Sequence, residues 1–370
     1  MKIRMFNADN GDCILIQSPT TNILIDGGTA GSFSNWYYHV KQLGRIDALF
    51  ITHIDSDHTN GIIKLLEMNK DDSLEIKSIY FNGIKQLFSD EFGNLVEDSE
   101  MNDKFDSITA GFEEVTETEN IGFDHGTSLS YILNDMDNTN SSVMHNQISG
   151  NPIKIGDFYI EIISPSIEHL NKLKESWKEV LLERQVKKRI LTKNHLNAFE
   201  TYVNSLNKEI SKASKVSADS YFDIEEYADS EYEPDLSLAN ATSLALLIKS
   251  SDKSFLMLGD AHIETVIDWM KENELFVDAL KVSHHGSKSN LNKEFLGLLN
   301  CNKYLISTNG NIYGHPDFET LSRIAKYSKK LETTIFINNN IQHITQEKVD
   351  MFKDYKNKTL IKMGEEEITL

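Results

Sequence analysis

Thr52-His53-Ile54-Asp55-Ser56-Asp57-His58 places two imidazoles and two carboxylates on one short loop, and its flanks decide what that loop belongs to. Before it runs Ala48-Leu49-Phe50-Ile51-Thr52, apolar and partly β-branched, the composition of a buried strand. After it, Gly61-Ile62-Ile63-Lys64-Leu65-Leu66-Glu67 reads as the opening of a helix. The four polar groups therefore stand at the carboxyl end of a strand, where open α/β sheets gather their ligands. Carboxylates held this close repel unless one takes up a proton or a cation compensates them. Imidazole nitrogen and carboxylate oxygen are donors that zinc and its neighbours accept. The bland alternative is an Asp/His-rich surface loop that caps the next helix.

Upstream, Lys2 to Asn7, Cys13 to Ser18 and Asn22 to Asp26 are short strand-like runs, punctuated by Asn10-Gly11-Asp12, Pro19 and Gly27-Gly28. Downstream, the signal weakens from about Lys85 to Gly150 and returns as a strand at Phe158 to Ile163, stopped by Ser164-Pro165. From about Ile167 to Lys215 the spacing is helical, with Leu170, Leu173, Trp177, Leu181 and Leu182 recurring and Lys/Arg in excess. Ala218 to Asp235 then carries eight acidic residues and no basic one, interleaved with Tyr221, Phe222, Tyr227 and Tyr232. The two stretches read as one inserted module, residues 165–238, within a single domain spanning 1–370. A solvated face is the ordinary explanation of such charge runs; a nucleic-acid contact is the sharper one.

The strand pattern then resumes at Ser243 to Ile248, Ser254 to Leu258, Ala279 to Ser283, Lys303 to Ser307 and Thr333 to Ile337. Helices are expected from about His262 to Asn273, Asn292 to Asn300 and Phe318 to Ser328. Several of these strands end in a further donor. Leu258-Gly259-Asp260 supplies a carboxylate, Ser283-His284-His285-Gly286-Ser287 two imidazoles, and Gly314-His315-Pro316 one more on a turn. Singly, an Asp after a strand is a turn residue or cap, and a His before Pro is structural. Together, in this order, they point to one rim of a sheet and one metal site.

Composition bounds the partners. The 370 residues suffice for one large domain, and a net charge of -20 argues against salt-driven adhesion to nucleic acid or an anionic membrane. Cys13 and Cys301 are the two cysteines, too few for a disulfide framework or a cysteine-based zinc site. With no signal-peptide core and no run of about 18 apolar residues, a cytoplasmic protein that does not enter membranes is expected.

In these motifs the sequence resembles the metallo-β-lactamase superfamily, and within it the ComEC-like branch of DNA-uptake proteins. Asn10-Gly11-Asp12-Cys13-Ile14-Leu15-Ile16 followed by Leu24-Ile25-Asp26-Gly27-Gly28 is similar to that branch's opening hairpin, and Thr52 to His58 to the superfamily's HxHxDH signature with one change. The resemblance covers residues 1 to about 85 and 240 to about 340. It implies an α/β (α+β) fold, an αββα four-layer sandwich with a helical insertion. It also implies a first metal site using His53 and Asp55, a second using Asp57, His58 and His284, and Asp260 bridging the two. One or two zinc ions are expected, with manganese an alternative because Asp55 replaces a histidine. The third ligand of the first site stays open among Asn240, His125 and water.

The expected reaction is hydrolysis by a metal-bound hydroxide, since a bound cation brings the pKa of water down to about 7. Asp57 and His315 are the candidate catalytic groups. Asn240, His285, Ser287 and His315 are the candidate substrate contacts. A phosphodiesterase or nuclease is favoured, with a phosphodiester, nucleic acid included, as substrate. The alternatives are an ester, lactone or amide hydrolase, and a catalytically impaired scaffold that docks a protein partner through 165–238.

Overall fold

In the computed structural model, the described residues are all but 71–72, 90, 117–127, 148–151, 187–188, 207–221, 272 and 357. Alternation along the strands divides the chain into three cores. Ile14 and Ile16 face one way and Leu15 the other; Ile23 and Ile25 oppose Leu24; Leu246 and Ile248 oppose Leu247. Each strand is therefore apolar on both sides, as a sheet covered on both faces requires.

Two sheets result. The first has six strands, ordered Glu367–Thr369, Lys2–Met5, Ile14–Gln17, Asn22–Ile25, Ala48–Phe50 and Ile79–Tyr80. The second has eight, ordered Thr359–Met363, Thr333–Ile337, Lys303–Ile306, Ala279–Lys281, Lys253–Met257, Ala245–Ser250, Phe158–Ser164 and Ile153–Ile155. The middle core, with Ile3, Phe50, Phe158, Phe255 and Leu305, lies between the sheets. The outer two lie under helices, around Trp36, Phe105 and Trp177 on one side and Phe295, Leu321 and Phe352 on the other. This is the expected αββα sandwich.

Parallel pairing brings the loops together. Asn22–Ile25 runs parallel to Ala48–Phe50, and Lys253–Met257 parallel to Ala279–Lys281, which is parallel to Lys303–Ile306. Their carboxyl ends open on one rim.

The segment between Phe158–Ser164 and Ala245–Ser250 differs from a detached arm. Helices Ile167–Glu183 and Lys193–Leu206 bury Leu170, Leu173, Trp177, Leu196, Phe199 and Tyr202 in the outer core beside the first sheet. Helix Ser99–Thr116, in the region of weak sequence signal, packs there too, through Met101, Phe105 and Ile108. Lys187, Lys188, Lys208, Lys212 and Lys215 of the basic stretch lie outside the described residues, and four of its described cations are paired. Lys174 Nζ, Lys178 Nζ and Arg189 converge on Glu91 at 2.9, 3.0 and 2.6 Å, and Lys172 pairs with Glu168 at 3.0 Å. Among the described residues no helix is long and apolar enough to cross a membrane.

Candidate metal centre

The loop after Ala48–Phe50 is fixed from the neighbouring strand. Asp26 accepts the Thr52 backbone N–H and hydroxyl, each at 2.8 Å, and its Oδ2 lies 2.9 Å from His58 Nδ1. Thr52 Oγ1 is 2.9 Å from His53 Nδ1. The helix Ser56–Met68 starts one residue after Asp55, so Asp57 and His58 occupy its first turn. A turn from the amino terminus closes the other side: Asn10 Nδ2 donates to Asp57 Oδ2 at 2.8 Å. Gly11 permits this approach, for a Cβ there would lie 1.7 Å from the Asp57 carbonyl oxygen.

The second sheet supplies the remaining donors. Asp260 follows Gly259, which has φ +53° and whose Cβ, if present, would meet Ser243 Oγ at 2.6 Å. Asp260 N–H donates to that hydroxyl at 3.1 Å. His284, His285 and Gly286 have φ of 46°, 54° and 88°, three left-handed residues in succession. Non-glycine residues of this kind cost about 1–3 kcal/mol each and persist where the surroundings over-determine them. Here His284 N–H donates to Gly259 O at 3.0 Å, Asp317 N–H to Gly286 O at 3.0 Å, and the buried Arg323 guanidinium to Lys288 O and Leu291 O.

Around Asp260 Oδ2 four imidazole nitrogens gather: Nε2 of His58 at 3.4 Å, His285 at 3.5 Å, His53 at 3.9 Å and His284 at 4.0 Å. Each ring's other nitrogen is occupied. His53 Nδ1 meets Thr52, His58 Nδ1 meets Asp26, His285 Nδ1 meets Ser307 O at 2.9 Å, and His284 Nδ1 lies between Asn290 Oδ1 at 3.1 Å and Asp235 Oδ2 at 3.3 Å. Such contacts orient metal-binding histidines and keep a lone pair on Nε2. The Nε2 atoms of His53, His58 and His285 are buried and lack a hydrogen-bond partner, a costly state unless something else satisfies them.

Electrostatics agree. Burial raises Asp260, but His285, His58 and His284 more than offset it and hold its carboxyl well below the usual range. Burial lowers the imidazoles, yet Asp260 and its fellow carboxylates push His58 well up, His284 to about 10 and His285 to about 8. A divalent ion bound among these groups would take the place of the protons that the raised imidazoles hold. Two overlapping donor sets lie within 4.8 Å, His53-His58-Asp260 and Asp57-His58-His285. Two more draw on Asp12: Asp12-Asp26-His58 and Asp12-Asp260-His285.

The sequence-derived candidates are placed as follows. His53, Asp57, His58, Asp260 and His284 converge on one spot, and Asp55 Oδ2 stands 3.3 Å from His53 Nε2. His285, expected among the substrate contacts, lies inside the donor cluster, 3.6 Å from Asp57 Oδ2. Ser287 Oγ caps its own turn by accepting Ser289 N–H at 3.3 Å. Asn240 Nδ2 donates to Asp235 at 2.8 Å and lies 3.4 Å from His284 Nδ1, an orienting position. His315 stacks edge-on to His284 at 5.6 Å, Nδ1 3.4 Å from Asp317, with Tyr313 beside it toward solvent. His125 lies outside the described residues.

Asp12, Asp26, Asp235 and Lys281 were not anticipated. Asp235 closes the acidic stretch and binds His284, Asn240 and Asn290; Tyr232 Oη, just before it, lies 2.8 Å from Ser289 O. The acidic segment thus buttresses the rim rather than standing apart from it. Its one legible signal was Asp235, two residues before an N-cap serine, Ser237.

Residues 7–137 match the family model described as the metallo-beta-lactamase superfamily. ComE operon protein 3 of Bacillus subtilis (strain 168) is 31% identical over 124 residues, 33% of this chain and 16% of that protein. Microtubule-associated protein 1A of Rattus norvegicus is 33% identical over 93 residues, 24% of this chain and 3% of that protein. The chain thus spans a small fraction of either relative. Among solved structures, the metallo-beta-lactamase fold protein YhfI from Bacillus subtilis aligns over 99% of this chain and 98% of its own, at 11% identity and TM-score 0.42.

Proposed function

We propose that this chain is a metal-dependent hydrolase of the metallo-β-lactamase superfamily, whose family model its residues 7–137 match, and that it acts on phosphodiesters. The observation that carries this reading is the convergence of four imidazole Nε2 atoms on Asp260 Oδ2, three of them buried without a hydrogen-bond partner. An all-nitrogen-and-oxygen donor set of this kind suits zinc, and its carboxylates suit manganese as the alternative. His53, His58 and Asp260, with Asp55 alongside, would hold one ion. Asp57, His58 and His285, with His284 at the margin, would hold a second. When bound, such an ion polarises a phosphoryl oxygen and makes hydroxide available near neutral pH.

The chain's own residues divide the remaining work. Asp57, anchored by Asn10, orients the attacking water through its carboxylate. His315 has Nδ1 turned to Asp317, which leaves Nε2 to hold a phosphate oxygen or deliver a proton to the leaving alkoxide. The net charge of -20 and the pairing of the helical cations with Glu91 favour a small phosphodiester over a long nucleic acid. We read residues 1–370 as one domain, with 165–238 an elaboration of it.

A panel of an aryl phosphodiester, single- and double-stranded DNA, RNA and an aryl ester, with zinc and manganese in turn, tests the assignment. Turnover of the phosphodiester is expected, with Asp57→Ala and His284→Ala inactive. Turnover of the ester alone, indifferent to loss of His315, would move the activity to carboxyl-ester hydrolysis. A second reading, a catalytically impaired scaffold, rests on Asp55 standing where the signature has a histidine. Purified protein that takes up no stoichiometric metal and turns over nothing would decide for it.

A further inference from the structure

Lys281 ends the strand Ala279–Lys281, and its side chain is wholly buried beside the metal cluster. Its ammonium contacts Asp12, itself 0% exposed, and lies 3.2 Å from Gly259 O and 3.9 Å from Asp260 Oδ1. Burying an ammonium is costly unless it is paired and hydrogen-bonded, and an apolar pair of similar volume would serve packing as well. The contacts of this pair are not placed at random. Asp260 is split between two neighbourhoods, Oδ1 toward Lys281 and Oδ2 toward the four imidazoles. The partner, Asp12, has its Oδ1 3.5 Å from His285 Nδ1. The ammonium therefore reaches the donor cluster twice, at Asp260 directly and at His285 through Asp12.

We propose that Lys281 is a positioning residue for the metal centre: paired with Asp12, it sets the rotation of the Asp260 carboxylate and the seat of the His285 ring. The ammonium has no lone pair and is not itself a ligand. Asp12, which also lies within reach of His58 and His285, is thereby kept as a partner of the ammonium instead of a ligand. The inference rests on the reading that an ion binds at Asp260.

The test uses the full chain stripped of metal, with zinc alone as the probe. Lys281→Met by itself leaves Asp12 buried and unpaired, which mixes folding with binding. The double variant Asp12→Asn/Lys281→Met removes one charge of each sign, so the net charge of the site is unchanged and an affinity change reports position. Asp12→Asn, which keeps the side chain's shape and leaves the ammonium with Asp260 as its nearest carboxylate, is the second variant. Zinc dissociation constants are measured by competition with a chromophoric chelator, ligand geometry by the absorption spectrum of the cobalt-substituted protein, and folding by circular dichroism. Affinity about 10–100-fold weaker than wild type in the double variant, in line with the loss of other partners that orient metal ligands, is the expected result. A smaller loss in Asp12→Asn and an altered cobalt spectrum in both should accompany it. Wild-type affinity and spectrum in whichever variant folds would overturn the proposal and reduce the pair to a structural one. If the wild-type protein takes up no zinc, the metal reading itself fails, and this inference with it.

Discussion

His195 and His285 are equally buried, each 1% exposed, and they have opposite chemistry. His195 lies in the outer helical core, stacked on Phe105 at 4.2 Å, with Trp177 Nε1 donating to its Nε2 at 3.1 Å and its Nδ1 3.0 Å from Ile190 O. Both nitrogens are satisfied by neutral groups, and burial pulls its pKa down to about 4. His285 has one nitrogen satisfied and the other turned toward carboxylates, and its pKa rises to about 8. Burial therefore does not make an imidazole a candidate ligand; a buried nitrogen facing anions does.

The contrast can be broken by substitution. His285→Ala should abolish turnover and remove most of the zinc bound after dialysis, measured by elemental analysis; full zinc content would remove His285 from the donor set. Asp235→Asn, which alters the group that Asn240, Asn290 and His284 share and so the seat of the His284 ring, should weaken zinc binding by about 10–100-fold. His195→Ala should leave zinc affinity unchanged and lower stability by about 2–4 kcal/mol in urea melts, through a cavity and an unpaired Trp177 N–H.

Acid and base sharpen it further. In metal-free protein, the raised pKa values of His284 and His285 contribute stability that is complete below the ordinary value of 6.5 and lost as pH rises through about 8 and 10. His195 is lowered, so its contribution is present above 6.5 and lost as pH falls toward about 4. Melting temperatures of metal-free protein should decline above pH 7. Zinc binding should release protons there and tighten with pH toward 8, visible by calorimetry in buffers of different ionisation enthalpy. The smallest effect belongs to the surface: Lys174→Ala, which removes one of the cations around Glu91, should cost less than about 1 kcal/mol and leave turnover unchanged. A large drop in turnover would return the basic face to substrate binding.

Much of the rim was legible because strand ends are. Thr52 to His58 and Leu258 to Asp260 combine an apolar run, a turn and polar donors, a pattern local enough to read in one dimension. The partners that orient the donors were not, because each is ordinary where it stands. Asp12 in Asn10-Gly11-Asp12 reads as a turn residue, and Lys281 after Ala279 and Leu280 reads as a strand residue facing water. The difference between His284 and His285 also escaped, since it depends on two consecutive left-handed residues that no side-chain pattern announces. Helix Ser99–Thr116 was a different kind of miss. Met101, Phe105, Ile108 and Phe112 follow helical spacing, but Asn, Asp, Ser and Gly between them gave the stretch the look of a loop.

The hydrogen bond from Ser307 Oγ to Gly11 O, 2.9 Å long, spans 296 positions of sequence and holds the amino-terminal turn against the late strands. During synthesis, a ribosome would release Asp57 and His58 long before Asp260 and His285 exist to face them. Early donors then wait as a loose, acidic loop, open to whichever ion is abundant, until the second sheet docks. If the proposed ion binds, its selection would belong to the closing of the sandwich and not to the first motif the cell produces.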